Sequence, residues 1–294
     1  MLKRTIVLTN PASLRLKDNQ VKIALRAEGE EERSVPIEDI GVVLVENQQV
    51  SITIPLLNAL ADDNVAVIFC NAKGLPHSML QSLDANTTQG ETLRLQIDTS
   101  EPLRKSLLKQ IVETKIKNQS RLLDKWQRNG SLLKPHYTHV LSGDADNREG
   151  IAARIYWMEL MGEDFVRDRD EEGINSLLNY GYAVLRAATA RALVGSGLMP
   201  SLGLFHRNRS NSMPLADDIM EPFRPYVDDA VMQLCEEGKF TLDKETKQVL
   251  INVLYSDTQF DNVSRPLQVG LSMTTASLVK CYDKEITKLA LPIF

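Results

Sequence analysis

The spacing of the apolar residues changes part-way along the chain, and this change constrains the fold more than any other feature. In "SLRLKDNQVKIAL", residues 13–25, apolar side chains alternate on both sides of a turn-like "KDNQ", which predicts a β-hairpin. The segments "RTIVLTN", "IGVVLVEN" and "VAVIFCN" also have strand character, and "SITIPLLNALADDN" becomes helical after Pro55. Further along, Leu103, Leu107 and Ile111 recur at helical spacing.

These two patterns of apolar spacing predict an α+β protein of two domains. The polar, turn-rich "SLDANTTQGET" at 82–92 separates them. We expect a small β-rich N-terminal domain over residues 1–83, a linker over 84–100, and a larger all-α domain over 101–294. A length of 294 residues is enough for two domains of ordinary size.

The composition favours a soluble globular protein in the cytoplasm. The chain is 43% hydrophobic and 25% charged, and no apolar run approaches the roughly 20 residues that span a bilayer. We therefore expect no membrane association. The three cysteines are odd in number and widely spaced, which favours reduced thiols over a disulfide framework or a zinc site.

Charge is distributed unevenly along the chain. The net charge is −5, yet residues 102–136 hold nine basic residues against two acidic ones, a local charge of +7. Such a segment is either a solvated helix face or a surface that binds the DNA backbone. Its lysines include Lys105, Lys109, Lys115 and Lys117.

The stretch "LFHRNRSNSMPLADDIMEPFRP", residues 204–225, gathers acids and a histidine. Pro214 suits the first turn of a helix that would carry Asp217, Asp218 and Glu221, and acids near a helix start are ordinary. His206 lies upstream across a segment that reads as a loop. A loop that folds the imidazole onto these carboxylates would create a divalent-cation site.

A second acidic stretch is "GDADNREGIAARIYW", residues 143–157. It resembles a calcium loop only superficially, because Glu149 stands where the turn glycine is needed and Ile155 where the last ligand is needed. We interpret "DADN" as the cap of a helix that begins near Arg148 and carries Glu149 in its first turn. The later "GSG", at the end of a long predicted helix, lacks the strand and spacing of a dinucleotide-binding loop and is interpreted as a helix stop.

Several stretches together resemble the CRISPR-associated spacer-integration endonucleases, the integrases that insert new spacers into CRISPR arrays. They are "NREGIAARIYW", "INSLLNYGYAVLRAATARAL" and "GLMPSLGLFHRNRSNSMPLADDIMEPFRPYVD", in a chain with the same β-then-helical order. The segment "LNALADDNVAVIFCNAKGLPHSML" resembles the type II branch of that family. The resemblance covers most of residues 1–280 and implies a β-rich domain that dimerises and a helical catalytic domain.

The resemblance also implies which residues form the site. The family's metal glutamate matches Glu149, its metal histidine His206, and its acidic pair Asp218 and Glu221, where many relatives have aspartate in place of Glu221. Glu149, His206 and Glu221 are thus implied catalytic residues and metal ligands, with Asp218 as a further candidate ligand. Hard carboxylates with one imidazole suit Mg²⁺ or Mn²⁺. The expected DNA contacts are Lys105, Lys109, Lys115, Lys117, Arg207, Arg209 and Arg224.

The function implied is metal-dependent integration, in which the 3′-hydroxyl of a prespacer attacks the repeat backbone. The implied partners are double-stranded prespacer and repeat DNA, a second copy of the chain, the family's small ferredoxin-like partner, and the type II effector nuclease. Two alternatives stay open: a structure-selective repair nuclease, and a DNA-binding scaffold without turnover. Tyr156, Tyr180 and Tyr182 either line the DNA path or pack in the core.

Overall fold

The chain folds into two compact units, Met1–Gln89 and Gly90–Phe294. The computed structural model describes residues 3–26, 31–72, 76–80, 86–168, 171–204, 211–261 and 263–294. The boundary between the units falls inside the segment 84–100 that was expected to be a linker. About half of that segment is a helix, so the second unit begins earlier than the sequence predicted.

The first unit is β-rich, as predicted, and contains two four-stranded sheets. Its elements are β1 (Arg4–Leu8), β2 (Ala12–Lys17), β3 (Gln20–Leu25), β4 (Arg33–Pro36), β5 (Ile40–Val45), β6 (Ser51–Ile52), α1 (Ile54–Asp62), β7 (Ala66–Cys70) and β8 (Pro76–Leu80). One sheet has the order β1-β5-β7-β8, with β1, β5 and β7 parallel and β8 antiparallel. The other has the order β4-β3-β2-β6. Because β5 is buried along its whole length, its continuous apolar run is that of a central strand.

The predicted hairpin is formed by β2 and β3, which pair from Ala12↔Leu25 to Lys17↔Gln20. Asp18 and Asn19 form its two-residue turn with φ values of 52° and 54°, a left-handed conformation that these residue types tolerate. The register places alternate apolar residues on the buried face. The core of this unit combines them with residues of the other sheet and of α1: Leu14, Val21, Ile23, Val43, Val67, Leu56 and Leu60.

The second unit is mainly helical, as predicted. Its helices are α2 (Gln89–Asp98), α3 (Glu101–Lys125), α4 (Lys134–Thr138), α5 (Arg148–Met161), α6 (Ile174–Gly195), α7 (Pro214–Met220), α8 (Arg224–Glu236), α9 (Lys244–Asn252) and α10 (Leu267–Tyr282). The unit also contains an antiparallel hairpin of β9 (Asp257–Phe260) and β10 (Val263–Pro266), which was not predicted from the sequence. In the described part of the chain, no helix combines the length and apolarity needed to cross a membrane.

The long helices α3 and α6 run through the core of this unit. Leu107, Ile111, Ile116 and Leu122 of α3 are at most 1% exposed. The helix α6 ends at Gly195 with Ser196 as its C-cap, and Gly197 follows with a φ of 77°. This positive φ is where glycine is needed, and it confirms that "GSG" stops the helix.

Candidate active site

Glu221 lies where the chain bends between α7 and α8. The two helices are separated by a 3₁₀ turn, Glu221–Phe223. Pro222 and Pro225 have no backbone N–H, so neither can complete the hydrogen bond that would continue one straight helix through this stretch. The proline-rich "EPFRP" therefore sets the bend, and the bend presents Glu221 and Arg224 close together.

Glu149 lies in the first turn of α5, as predicted, and two side chains fix that turn. Asn147 is the N-cap, with a φ of 53°, and its side chain accepts a hydrogen bond from the amide of Gly150. The carboxylate of Asp144 accepts from the amides of Arg148 at 2.8 Å and Glu149 at 3.1 Å. The "DADN" stretch thus caps this helix, which sets where the Glu149 carboxylate is presented.

Lys115 of α3 joins the two glutamates. Its Nζ atom is 2.5 Å from Oε1 of Glu149 and 2.6 Å from Oε2 of Glu221. The side chains of Lys115 and Glu221 are 11% and 10% exposed, whereas that of Glu149 is 30% exposed. Burial disfavours the charged lysine, but Glu221 and Glu149 outweigh burial and raise the pKa of Lys115. Two acids far apart in the sequence therefore share one ammonium group.

This placement of Lys115 differs from the expected DNA contact on an exposed helix face. On α3 it belongs to the buried face that also contains Ile111, Ile116 and Leu122. A lysine within an apolar stripe of a helix is the sequence signal that could have predicted this buried ion pair. Its charge is engaged inside the protein.

Arg224 extends the charge cluster towards a buried network. Its Nε is 2.9 Å from Oε1 of Glu221, and its guanidinium lies 4.5 Å from the centre of the Tyr182 ring. Tyr182 donates a hydrogen bond to Asp228, and Tyr156 donates to Asp228 Oδ2 at 2.6 Å. Burial raises the pKa of Asp228 to about 6, although both tyrosine hydrogen bonds lower it. The structure thus favours the core interpretation of Tyr156, Tyr180 and Tyr182, which are 0%, 0% and 8% exposed.

The neighbours Asp217 and Asp218 have different surroundings. Asp217 pairs with Nε of Arg186 at 2.6 Å and accepts from Asn211 at 2.7 Å. Asp218 is 1% exposed and its Oδ2 accepts from the backbone amide of Leu204 at 2.8 Å. Asp218 therefore anchors the chain just before His206, whereas Asp217 forms an ion pair with Arg186 of α6.

Three predicted site residues, His206, Arg207 and Arg209, lie outside the described residues. The structure therefore brings together Glu149, Glu221 and Arg224 from the predicted set. Lys115, predicted as a DNA contact, lies in the same cluster between the two glutamates. Asp218 contacts the backbone amide of Leu204, two residues before His206 in the sequence.

The donor chemistry of this cluster fits a divalent cation. Among the described side chains, no three His, Cys, Asp or Glu residues form a ready metal-binding group. However, the carboxylates of Glu149 and Glu221 converge on a single positive charge, the Lys115 ammonium. Two hard oxygen donors that already accommodate a cation match the ligand preference of Mg²⁺ and Mn²⁺.

The other predicted DNA-binding lysines lie along α3. Lys105 pairs with Glu101 at 2.8 Å, and Lys109 lies 3.6 Å from Glu113. Their side chains are 48% and 42% exposed, and Lys117 is also exposed. Surface pairs one helical turn apart are weak, so these lysines remain available to an anionic partner.

Comparison with known proteins identifies relatives over nearly the whole chain. Residues 5–263 match the family described as CRISPR associated protein Cas1. The chain is 37% identical to the CRISPR-associated endonuclease Cas1 of Neisseria meningitidis serogroup C (strain 8013), in an alignment that covers 99% of this chain and 96% of the relative.

Solved structures share the fold at lower identity. A casposase bound to integration product superposes with a TM-score of 0.81 at 19% identity, covering 98% of this chain and 92% of that chain. A Cas6-RT-Cas1–Cas2 complex gives a TM-score of 0.76 at 18% identity, covering 98% of this chain and 36% of that much longer chain. The β-rich then helical architecture predicted from the sequence is thus a known one.

Proposed function

The chain belongs to the CRISPR-associated protein Cas1 family, and we propose that it is a divalent-metal-dependent DNA endonuclease and integrase. It would insert new spacers into a CRISPR array. The Neisseria relative is named an endonuclease, and the casposase structure holds an integration product, so both halves of the proposal have support. The match to the Neisseria relative also supports the type II-like branch.

The convergence of Glu149 and Glu221 on one cation carries this proposal. Glu149, His206 and Glu221 would bind Mg²⁺ or Mn²⁺, with Asp218 as a further ligand or as the anchor of the His206 segment. When bound, the metal would neutralise charge on the phosphate oxygens and make a hydroxyl group more acidic. A cluster built from α3, α5 and the α7–α8 bend holds both carboxylates in place for that role.

The proposed reaction exchanges one phosphodiester for another. The 3′-oxygen of the prespacer forms a bond to a phosphorus atom of the repeat, and the bond from that phosphorus to its original 3′-oxygen breaks. The attacking hydroxyl loses a proton and the leaving oxygen gains one, so no water is consumed. Arg224 and the exposed lysines of α3 would bind phosphates and orient the two DNA strands.

The proposed partners follow from the family. Prespacer and repeat are double-stranded DNA, and the β-rich unit would form a homodimer. The Cas1–Cas2 composition of one structural neighbour supports a small ferredoxin-like partner, and the type II-like branch supports association with the effector nuclease. A cytoplasmic location, expected from the sequence, is part of this proposal.

Product analysis tests the function. The full chain would be incubated with a labelled prespacer and repeat DNA in Mg²⁺, Mn²⁺ or EDTA, with and without the small partner. Glu149→Gln and Glu221→Gln should lose joined products, whereas Glu159→Gln on the same helix α5 should retain them. Joined strands support integration. Strands that are only shortened would instead indicate a repair nuclease, and bound but unchanged DNA would indicate a scaffold.

A further inference from the structure

The ammonium group of Lys115 occupies the position between the carboxylates that a shared metal ion would need. It is within 2.6 Å of one oxygen of each glutamate. This lysine lies on α3, a different element from the two that carry the acids. It is also among the most buried charged groups of the described residues, at 9% exposure for the whole residue. A buried ammonium group between the two glutamates indicates that Lys115 has a role inside the site.

We propose that Lys115 is a resident cation that holds Glu149 and Glu221 in place in the metal-free protein and leaves them when the divalent ion binds. Lys115 then lowers metal affinity, and it keeps the empty site assembled. This inference rests on the proposed metal-dependent function. It concerns a positioning residue, because Lys115 acts through the two glutamates.

Charge balance supports the exchange. Glu149 and Glu221 contribute two negative charges, and Lys115 and Arg224 contribute two positive ones. These four charges sum to zero, which suits their partial burial. A divalent ion added to this cluster would meet the Lys115 ammonium at close range, where low effective dielectric strengthens the repulsion. Release of the ammonium relieves it.

The helix that carries Lys115 can stay in place during this exchange. Asn118, one turn further along α3, donates hydrogen bonds to the carbonyl oxygens of Pro222 at 2.9 Å and Pro292 at 3.1 Å. These bonds fix α3 to the turn that begins with Glu221. The ammonium is at the end of a flexible four-carbon stem, so it can move while the backbone on both sides is held.

Metal affinity in the absence of DNA gives the first test. Free Mn²⁺ would be measured by electron paramagnetic resonance in titrations of the full chain, comparing the wild type with Lys115→Met. We expect Lys115→Met to bind Mn²⁺ at least tenfold more tightly and to melt at a lower temperature in EDTA. Lys117→Met is the matched control, with the same substitution on an exposed position of the same helix, and should keep wild-type affinity for Mn²⁺.

A second measurement on the wild type covers the case in which Lys115→Met fails to fold. An amine-acylating reagent would label the protein in EDTA and in Mg²⁺, followed by peptide mass spectrometry. We expect Mg²⁺ to increase labelling of Lys115 and to leave Lys117 unchanged. Equal or lower labelling of Lys115 in Mg²⁺ would overturn the inference.

The outcomes separate this inference from the proposed function. If the wild type binds Mn²⁺ and Glu149→Gln loses that binding, the metal site stands, and equal or weaker binding by folded Lys115→Met then overturns only the role of Lys115. If the wild type binds no Mn²⁺, both the metal-dependent function and the inference fail.

Discussion

The carboxylate of Asp218 accepts a hydrogen bond from the backbone amide of Leu204 at 2.8 Å, and Leu204 precedes His206 by two residues. Both partners are buried, at 1% and 7% exposure. One acid of α7 therefore fixes the chain from which the predicted imidazole ligand extends. The family resemblance implied a metal role for Asp218, and the structure gives it an anchoring contact as well.

Removal of this acceptor should destabilise the protein more than conversion to the amide. Asp218→Ala leaves a buried N–H without its partner, which costs about 1–3 kcal/mol, whereas Asp218→Asn keeps an oxygen that can accept. We expect Asp218→Ala to lose stability in urea titrations and to lose strand transfer. Asp218→Asn should stay near wild-type stability and bind Mn²⁺ measurably while its turnover falls. Equal stability of the two variants would show that the Leu204 contact is unimportant.

Asp217→Asn tests whether the neighbouring acids are separable. Its carboxylate binds Arg186 and Asn211 on the side of α6, so the amide should cost about 1 kcal/mol of stability and little of the transfer rate. Transfer rate and unfolding free energy would be measured in parallel with Asp218→Asn. An inactive Asp217→Asn beside an active Asp218→Asn would reverse the assignment.

Loss of Glu221 should destabilise the metal-free protein. Two neighbouring carboxylates would repel each other if unpaired, but Glu221 is paired with both Lys115 and Arg224. Glu221→Ala leaves two largely buried cations short of negative charge, and breaking a buried pair costs about 3–5 kcal/mol. The melting temperature in EDTA should fall. A rise would mean that repulsion with Glu149 dominates.

Stability should depend on pH through Asp228. Its pKa in the folded protein is raised to about 6, so between the unfolded value near 4 and this value the folded state binds the extra proton. The free energy of unfolding should therefore fall as pH rises from about 4 to about 6, by up to roughly 3 kcal/mol, and then level off. The groups facing Asp228 are Tyr156, Tyr182, Arg224 and Arg167.

The amide variant isolates this contribution. Burial and Asp228 raise the pKa of Tyr156 and Tyr182 well above the ordinary range, so both remain hydroxyl donors throughout this window. Urea titrations at several pH values should show that Asp228→Asn lacks the decrease. An identical pH dependence in the two proteins would assign the slope to other groups.

The lysines of α3 should contribute unequally to DNA binding. Each lysine that neutralises a phosphate contributes about 0.9 to the slope of log affinity against log salt concentration. Replacing Lys105, Lys109 and Lys117 together with glutamine should weaken binding to all duplex sequences and flatten that slope. Lys115→Gln alone should leave the slope unchanged. Fluorescence anisotropy across salt concentrations measures both, and a flattened slope for Lys115→Gln would place its charge on DNA.

Local signals in the sequence predicted most of the elements. The turn residues Asp18 and Asn19 predicted the β2–β3 hairpin, and "DADN" predicted the cap of α5, because both structures depend on residues within a few positions. The hairpin of β9 and β10 was missed because its strands are only four residues each and follow a helical stretch. The helix α2 was missed because its polar composition resembles a linker.

Only the parts of the site that lie within a local sequence motif could be predicted. The cap of α5 predicted the position of Glu149, whereas Glu221 was expected on the helix that begins at Pro214 and lies instead in the 3₁₀ turn Glu221–Phe223 that follows it. The ion pairs of Lys115 with both glutamates depend on how three helical elements pack, and no short sequence motif predicts them. The anchoring of Leu204 by Asp218 is long-range in the same sense.

Lys115 and Asn118 are separated by almost one turn of α3, and one contacts the side chain of Glu221 while the other holds the carbonyl of Pro222. Each residue turns an α-helix by about 100°. Both contacts can therefore form together only if the number of residues between Lys115 and Asn118 stays the same. A single inserted residue would turn one group away from the bend. Substitutions at other positions of α3 leave this geometry unchanged, whereas an insertion or deletion between these two residues would disrupt it.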